Sequence, residues 1–185
     1  MSAVPTKPPD RRVERTRQVV RDAFLALMAE RGFDEISVQD ICRRANIGRS
    51  TFYIHFENKD QLLDAGLADL RQFLGSITTS GGGGKLRYPF LRGLIDHVLE
   101  QRRLFRSVIG RRSGHVVRTR FRDMILELVK SELFQSSQSN WEQEAKVHYL
   151  AGAIFEMLVW LADTSHGVTS DAVEAHFRST VLPVG

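Results

Sequence analysis

A chain of 185 residues is long enough for one large or two small domains with a sizeable core, and 42% hydrophobic against 26% charged residues is ordinary for a soluble globular protein. The net charge of +4 suits an anionic partner without demanding one. Cys42 is the sole cysteine, which excludes an intramolecular disulfide and any cysteine-based zinc cluster. Residues 1–10, MSAVPTKPPD, hold Pro5, Pro8 and Pro9 without periodicity and predict a flexible arm, where a secretory signal would carry an apolar run. From Arg11, RRVERTRQVVRDAFLALMAERGF predicts a helix of about five or six turns. Val13, Val20, Phe24, Leu27 and Met28 fall near one of its faces, and Gly32 supplies the stop.

The next stretch, SVQDICRRANIGRSTFYIHFENKDQLL from Ser37 to Leu63, reads as two short helices around a tight turn, followed by the start of a third. Ser37 and Asp40 have capping-box spacing, and Val38, Ile41, Cys42 and Ala45 recur on one face. Cys42 is therefore a small core residue before it is a redox group. Asn46 and Gly48 tolerate positive φ and break the chain direction, with Ile47 tucked between them. Arg49 to Phe56 restarts a helix with Phe52 and Phe56 inward, leaving Arg49, Ser50, Thr51, Tyr53 and His55 to point elsewhere. Those side chains suit phosphates and base edges, so the pattern is a helix-turn-helix with its recognition helix second. The arginines just upstream, Arg11, Arg12, Arg15, Arg17 and Arg21, then have two readings. They are a solvated helix start, or Arg11, Arg12 and Arg15 reach DNA phosphates or an adjacent minor groove.

Asn58 and Gln61 predict a cap for a further helix running from Lys59 through Leu62, Leu63, Leu67, Leu70 and Leu74 to about Ile77. Lys59 in its first turn opposes the helix dipole, which a nearby phosphate would explain. Thr78 to Gly84 reads as a flexible loop. No Gly-Lys-Ser/Thr follows its glycines and no strand precedes them, so it is not a phosphate-cradling loop. Beyond it all is helical: Leu86–Glu100, Arg102–Ile109, His115–Phe134, Trp141–Thr164, and a last helix Asp171–Leu182 capped by Ser170 and ended by Pro183. The expected fold is all-α with about nine helices: an arm at 1–10, a helix-turn-helix domain at 11–58, and a helical domain at 59–185 with a Gly-rich loop at 78–85. The apolar run Ala151–Ala162 contains Glu156 and is too short to cross a bilayer, so a cytoplasmic protein with no membrane partner is expected.

Arg15 to Leu63 resembles the tetracycline-repressor (TetR) family of bacterial transcriptional regulators. The resemblance rests on Ala29-Glu30-Arg31-Gly32-Phe33, Ser37-Val38-x-Asp40-Ile41, Ile47-Gly48, Thr51-Phe52-Tyr53-x-His55-Phe56 and Lys59-x-x-Leu62-Leu63. It implies that Thr51, Tyr53, His55 and Lys59 contact phosphates, that Arg49 and Ser50 lie nearest the bases, and that Arg15 and Ser37 belong to the same DNA-facing set. A guanidinium at Arg49 can bond guanine O6 and N7 together. The resemblance further implies a homodimer on a palindromic operator, built by the last two helices, here with Ile154, Leu158, Leu161, Val173 and Phe177. It also implies a small-molecule effector held among the regulatory helices, with Phe73, Phe105, Phe121, Met124, Tyr149 and Phe155 as lining, and control by a protein partner without a pocket as the alternative.

Other signals point nowhere sharper. Arg102, Arg103, Arg106, Arg111, Arg112, Arg118, Arg120 and Arg122 form a dense run, either a solvated face or a site for an anionic ligand. The histidines other than His55 (His97, His115, His148, His166 and His176) lack metal-ligand spacing, so neither metal nor cofactor is expected. No nucleophile-elbow pattern occurs, and no enzyme is expected.

Overall fold

The apolar spacing that begins at Arg11 is realised as helix α1, Arg11–Arg31, in the computed structural model, which describes residues 11–80, 88–110, 114–133, 140–164 and 167–181. Gly32 ends α1 at φ +78°, a conformation that lacks a Cβ penalty only in glycine. Then come α2 (Val38–Ala45), α3 (Arg49–His55) and α4 (Lys59–Ser80), followed by α5 (Phe90–Glu100), α6 (Arg102–Val108), α7 (His115–Leu133), α8 (Trp141–Asp163) and α9 (Ser170–Val181). Among the described residues the chain has nine α-helices and no strand. The arm at 1–10, the glycines 81–84, Arg111, Arg112, the loop residues 135–139, His166 and Pro183 lie outside the described residues.

Three of the boundaries that differ from the sequence reading have a local reason. Helix α4 continues through Ser80, so the helix takes in three residues expected in the loop. Helix α5 starts only at Phe90: Tyr88 has φ +63°, and Pro89 stands at the cap, where a missing N–H costs nothing. Helix α9 is capped by Thr169, not Ser170, because the Thr169 hydroxyl accepts from the Ala172 N–H at 3.3 Å and Ser170 is already helical. Val13, expected on the inner face of α1, is exposed.

Helices α1, α2 and α3 close around Phe24, Phe33, Ile36, Ile41, Phe52 and Phe56, all nearly sealed from solvent. Phe24 meets Phe33 edge-on at 6.1 Å, and Phe52 lies 5.8 Å from Phe56. Each such side chain contributes about 1.5–3 kcal/mol by leaving water. The larger body pairs α7 with α8 and α5 with α9. Phe105, Phe121 and Phe155 run through it, the first pair edge-on at 5.6 Å and the second tilted at 6.4 Å.

Helix α8 is 23 residues long and apolar enough, by length and composition, to cross a membrane, which corrects the shorter estimate of its apolar run. Half of its most apolar window is instead buried, with Ile154, Leu158 and Leu161 in the core. Those three residues, with Val173 and Phe177 on α9, were the expected dimer contacts. Each is buried within the single chain, so none of them forms its outer surface. The exposed face of α8 instead carries Trp141, Tyr149 and Trp160, and the last two are 76% and 50% exposed.

Helix α1 joins the two bodies, and side chains knit together the helices of the larger one. Helix α1 packs extensively on α6, and the Ser107 hydroxyl donates to the Met28 carbonyl at 2.6 Å. Arg120 on α7 grips the first turns of α4, donating to Asp60 Oδ1 at 2.8 Å and Asp64 Oδ1 at 3.0 Å. Further along α4, Arg71 pairs with Glu127 of α7. Arg106 donates to the Ala162 carbonyl, and Arg118 donates to the Ile109 and Gly110 carbonyls while lying over the Phe155 ring. Arg106, Arg118 and Arg120, dense in the sequence, thus serve three separate joints and do not converge on one ligand.

Candidate nucleic-acid interface

The recognition helix is set by what precedes it. Ser37 Oγ accepts from the Asp40 N–H at 3.2 Å, and the Asp40 carboxylate accepts from the Ser37 N–H at 3.0 Å, completing the capping box of α2. The Ser37 hydroxyl also donates to that carboxylate at 2.6 Å. These bonds, chiefly the hydroxyl, with Arg31 adding its charge, lower the Asp40 carboxyl from 3.8 to about 2. Asn46 then turns the chain in the left-handed conformation at φ 52°, its N–H meeting the Arg43 and Cys42 carbonyls. The resulting angle places α3 with Phe52 and the following Phe56 inward. Cys42 is buried behind it, and burial raises its thiol pKa, so it serves as packing.

The outer face of α3 presents Arg49, Ser50, Tyr53 and Ile54, with Thr51 and His55 half-buried at its flanks. No carboxylate occurs between Arg49 and His55. Tyr53 is braced edge-on against Phe52 at 5.5 Å. Arg49 donates to the Gln39 side chain at 2.5 Å, which links the first residue of α3 to the exposed side of α2. That bond orients the guanidinium while leaving other N–H groups for an acceptor outside the chain. On the neighbouring helix, Arg43 pairs with Asp40 at 2.6 Å and Arg44 makes a two-point bond with Glu30 at 2.6 and 3.2 Å. Arg15 is exposed on α1 and makes no ion pair or hydrogen bond among the described residues. Arg17, by contrast, lies over the Phe56 ring at 5.5 Å and belongs to the fold.

Two residues stand apart from their sequence-based roles. Lys59 is half-buried, and its ammonium donates to the carbonyls of Ile36 at 2.9 Å, Phe33 at 3.0 Å and Asp34 at 3.4 Å while sitting 4.4 Å from the centre of the Phe33 ring. It straps the start of α4 to the loop between α1 and α2, and only its long contact to Asp34 is weak enough to be shared with a phosphate. Ile54 was not singled out from the sequence at all, yet it is 77% exposed beside Tyr53. Ile54 is thus an apolar side chain exposed among polar ones, and the apolar group a major groove offers to such a side chain is the thymine C5-methyl.

The cap of α4 is also rearranged. Asn58 Oδ1 accepts from the Gln61 N–H at 2.8 Å, while the Gln61 side chain reaches past Asn58 to the Glu57 N–H at 2.7 Å.

Behind this face lies a cavity of about 740 Å³ between α1, α4 and α5–α7. Of the expected pocket residues, Phe73, Phe105 and Phe121 line it. Met124 and Phe155 are buried away from it, and Tyr149 is on the outer face of α8. Among the described residues no cluster of histidine, cysteine or carboxylate groups could hold a metal ion.

Residues 20–65, which carry the helix-turn-helix just described, match the family profile of bacterial regulatory proteins of the tetR family. The N-terminal domain belongs to the TetR family. The chain is 28% identical over 160 residues to an uncharacterised helix-turn-helix regulator, YxbF of Bacillus subtilis, covering 83% of this chain and 41% of that protein. It therefore spans less than half the length of that relative. The TetR fold extends beyond the matched segment. A TetR transcriptional regulator of Streptococcus agalactiae superposes with a TM-score of 0.71 at 23% identity, over 93% of this chain and 96% of that one. FadR of Bacillus subtilis, solved with stearoyl-CoA, superposes with a TM-score of 0.65 at 16% identity, over 91% and 99%.

Proposed function

We propose that this chain is a homodimeric transcriptional repressor in the cytoplasm that reads a palindromic operator with α3 and is released by a small molecule. The observation that carries the proposal is the outer row of α3: Arg49, Ser50, Tyr53 and Ile54, exposed on a helix free of carboxylates and anchored by Phe52 and Phe56. Arg49 and Ser50 supply hydrogen bonds to base edges, and Thr51, Tyr53, His55 and Arg15 supply phosphate contacts. Ser37 serves this surface indirectly, through the cap that orients α2, and Lys59 serves it through its strap to the α1–α2 loop.

A second copy covers the exposed aromatic face of α8, with Tyr149 and Trp160 three helical turns apart on it. A two-fold pair then presents two copies of α3 to the major groove about one DNA turn apart. The cavity favours a small effector over control by a protein partner alone, and FadR, solved with stearoyl-CoA, illustrates that a protein of this fold can hold a ligand with a long acyl chain. The test is selection of bound duplexes from a random pool by the full chain. Enrichment of an inverted repeat is expected; failure to enrich any sequence over random DNA refutes the assignment.

A further inference from the structure

The cavity between α1 and α4 has a composition that specifies its occupant more closely than its size does. Its lining is mostly apolar, with Phe24, Phe105 and Phe121 among its rings. Four charged side chains also border it, and they cancel: Arg21 and Arg103 against Asp69 and Glu100. Arg21 is already paired through Nη1, 3.1 Å from Asp69 and 3.6 Å from Glu14, while its Nε is buried without a hydrogen bond. A charged ligand would lose its hydration here without meeting a wall of net opposite charge.

One uncharged polar group in the lining is half-buried as well. His97 on α5 is half-buried, its ring stands edge-on to Phe105 at 5.5 Å, and its ring nitrogens make no hydrogen bond among the described residues. Burial lowers its pKa, against an opposing pull from Glu100, so the imidazole is neutral near pH 7 and offers one donor and one acceptor.

We infer that the cavity binds an uncharged, largely apolar molecule, aromatic or alkyl-aromatic, whose single hydroxyl or carbonyl pairs with His97. The inference rests on the ligand-released reading above and names the ligand class for it. Helix α1 forms one wall of the cavity and also shares the core that carries α3, through Phe24 and Phe33. A ligand here stands directly between the DNA-binding domain and α4. It favours whichever spacing of α1 and α4 leaves the cavity open, and so shifts the population of DNA-binding geometries.

The test uses the full chain and three probes of one size: para-butylphenol, butylbenzene and para-butylbenzoate, titrated by calorimetry at pH 7. The phenol should bind roughly ten-fold tighter than butylbenzene, the worth of one hydrogen bond in an apolar site, and tighter than the benzoate. His97→Phe, which keeps an aromatic edge against Phe105, should bring the phenol to within about two-fold of butylbenzene, while His97→Gln should restore most of the preference. Tightest binding by the benzoate, no binding by any probe, or a preference for phenol unchanged in His97→Phe would each overturn the inference. Operator release is then measured with the phenol. If the phenol binds through His97 but leaves DNA affinity unchanged, the ligand site stands and the ligand-released reading fails.

Discussion

Lys59→Met separates two duties that the sequence assigns to one lysine. Methionine keeps an unbranched stem over the Phe33 ring and removes only the ammonium. What is lost is a pair of short charged hydrogen bonds, to Phe33 and Ile36 at 3.0 and 2.9 Å, a long one to Asp34, and the cation–ring contact at 4.4 Å. Charged hydrogen bonds contribute about 1.5–3 kcal/mol each, and a ring contact at a partly exposed site about 0.5–1 kcal/mol. Water replaces part of this at the exposed Asp34 carbonyl, leaving an expected loss of about 2–4 kcal/mol. In a chain of this length that lowers the thermal midpoint by roughly 5–12 °C. Urea and thermal unfolding read the loss, and the slope of operator affinity against salt, measured on the folded variant, reads the phosphate role. A full phosphate contact would reduce that slope by about one. The expected change is smaller, because the N–H groups of Lys59 are largely engaged within the chain. A stability loss below about 0.5 kcal/mol would refute the strapping role.

Ile54→Ala should weaken the selected operator by about 1–2 kcal/mol without lowering stability, and replacing the facing thymine by deoxyuridine should remove the same increment, so additive losses would refute the methyl contact. Asp40→Asn should destabilise the chain at neutral pH. The Asp40 pKa is depressed on folding, from 3.8 to about 2, so its contribution is complete above about pH 4 and fades as pH falls toward 2. The variant's acid unfolding should therefore lose its dependence in that window, and a parallel pH profile for both proteins would count against the capping box. Gly110→Ala should cost about 2 kcal/mol or more in urea unfolding, because a Cβ there lies 2.2 Å from the Arg106 carbonyl oxygen, a backbone atom that cannot swing aside; a neutral result would exclude that clash. Trp160→Glu should turn a dimer into a monomer by light scattering, whereas an unchanged mass would remove α8 from the interface.

Features held by short sequence spacing were the most legible. The Ser37–Asp40 box, the left-handed Asn46, the stop at Gly32 and the inward Phe52 and Phe56 each follow from residues within a turn or two of one another. Lys59 misled because its acceptors lie 23 to 26 residues upstream, and nothing local announces a carbonyl cluster there. Ile54 was passed over because an apolar residue on a short helix looks like packing until the angle of that helix is known. Helix α8 is apolar on several sides, so spacing could not say that Ile154, Leu158 and Leu161 face the core while Tyr149 and Trp160 face outward. The cavity resisted in the same way. Phe105 and Phe121 line it whereas Phe155, next in the same ring series, does not.

The seven residues of α3 divide their labour unevenly. Phe52 is the only one fully buried, and Arg49, Ser50, Tyr53 and Ile54 carry little of the fold beyond the Arg49–Gln39 bond and the Tyr53–Phe52 contact. On the proposed role of α3, substitutions at these positions change what is read at almost no thermodynamic penalty. After a gene duplication, a copy could acquire a different operator by a handful of changes on one helix, each intermediate remaining folded. The same freedom does not extend to Ser37 or Lys59, whose side chains hold backbone in place, so drift in specificity should run along α3 and stop at its two supports.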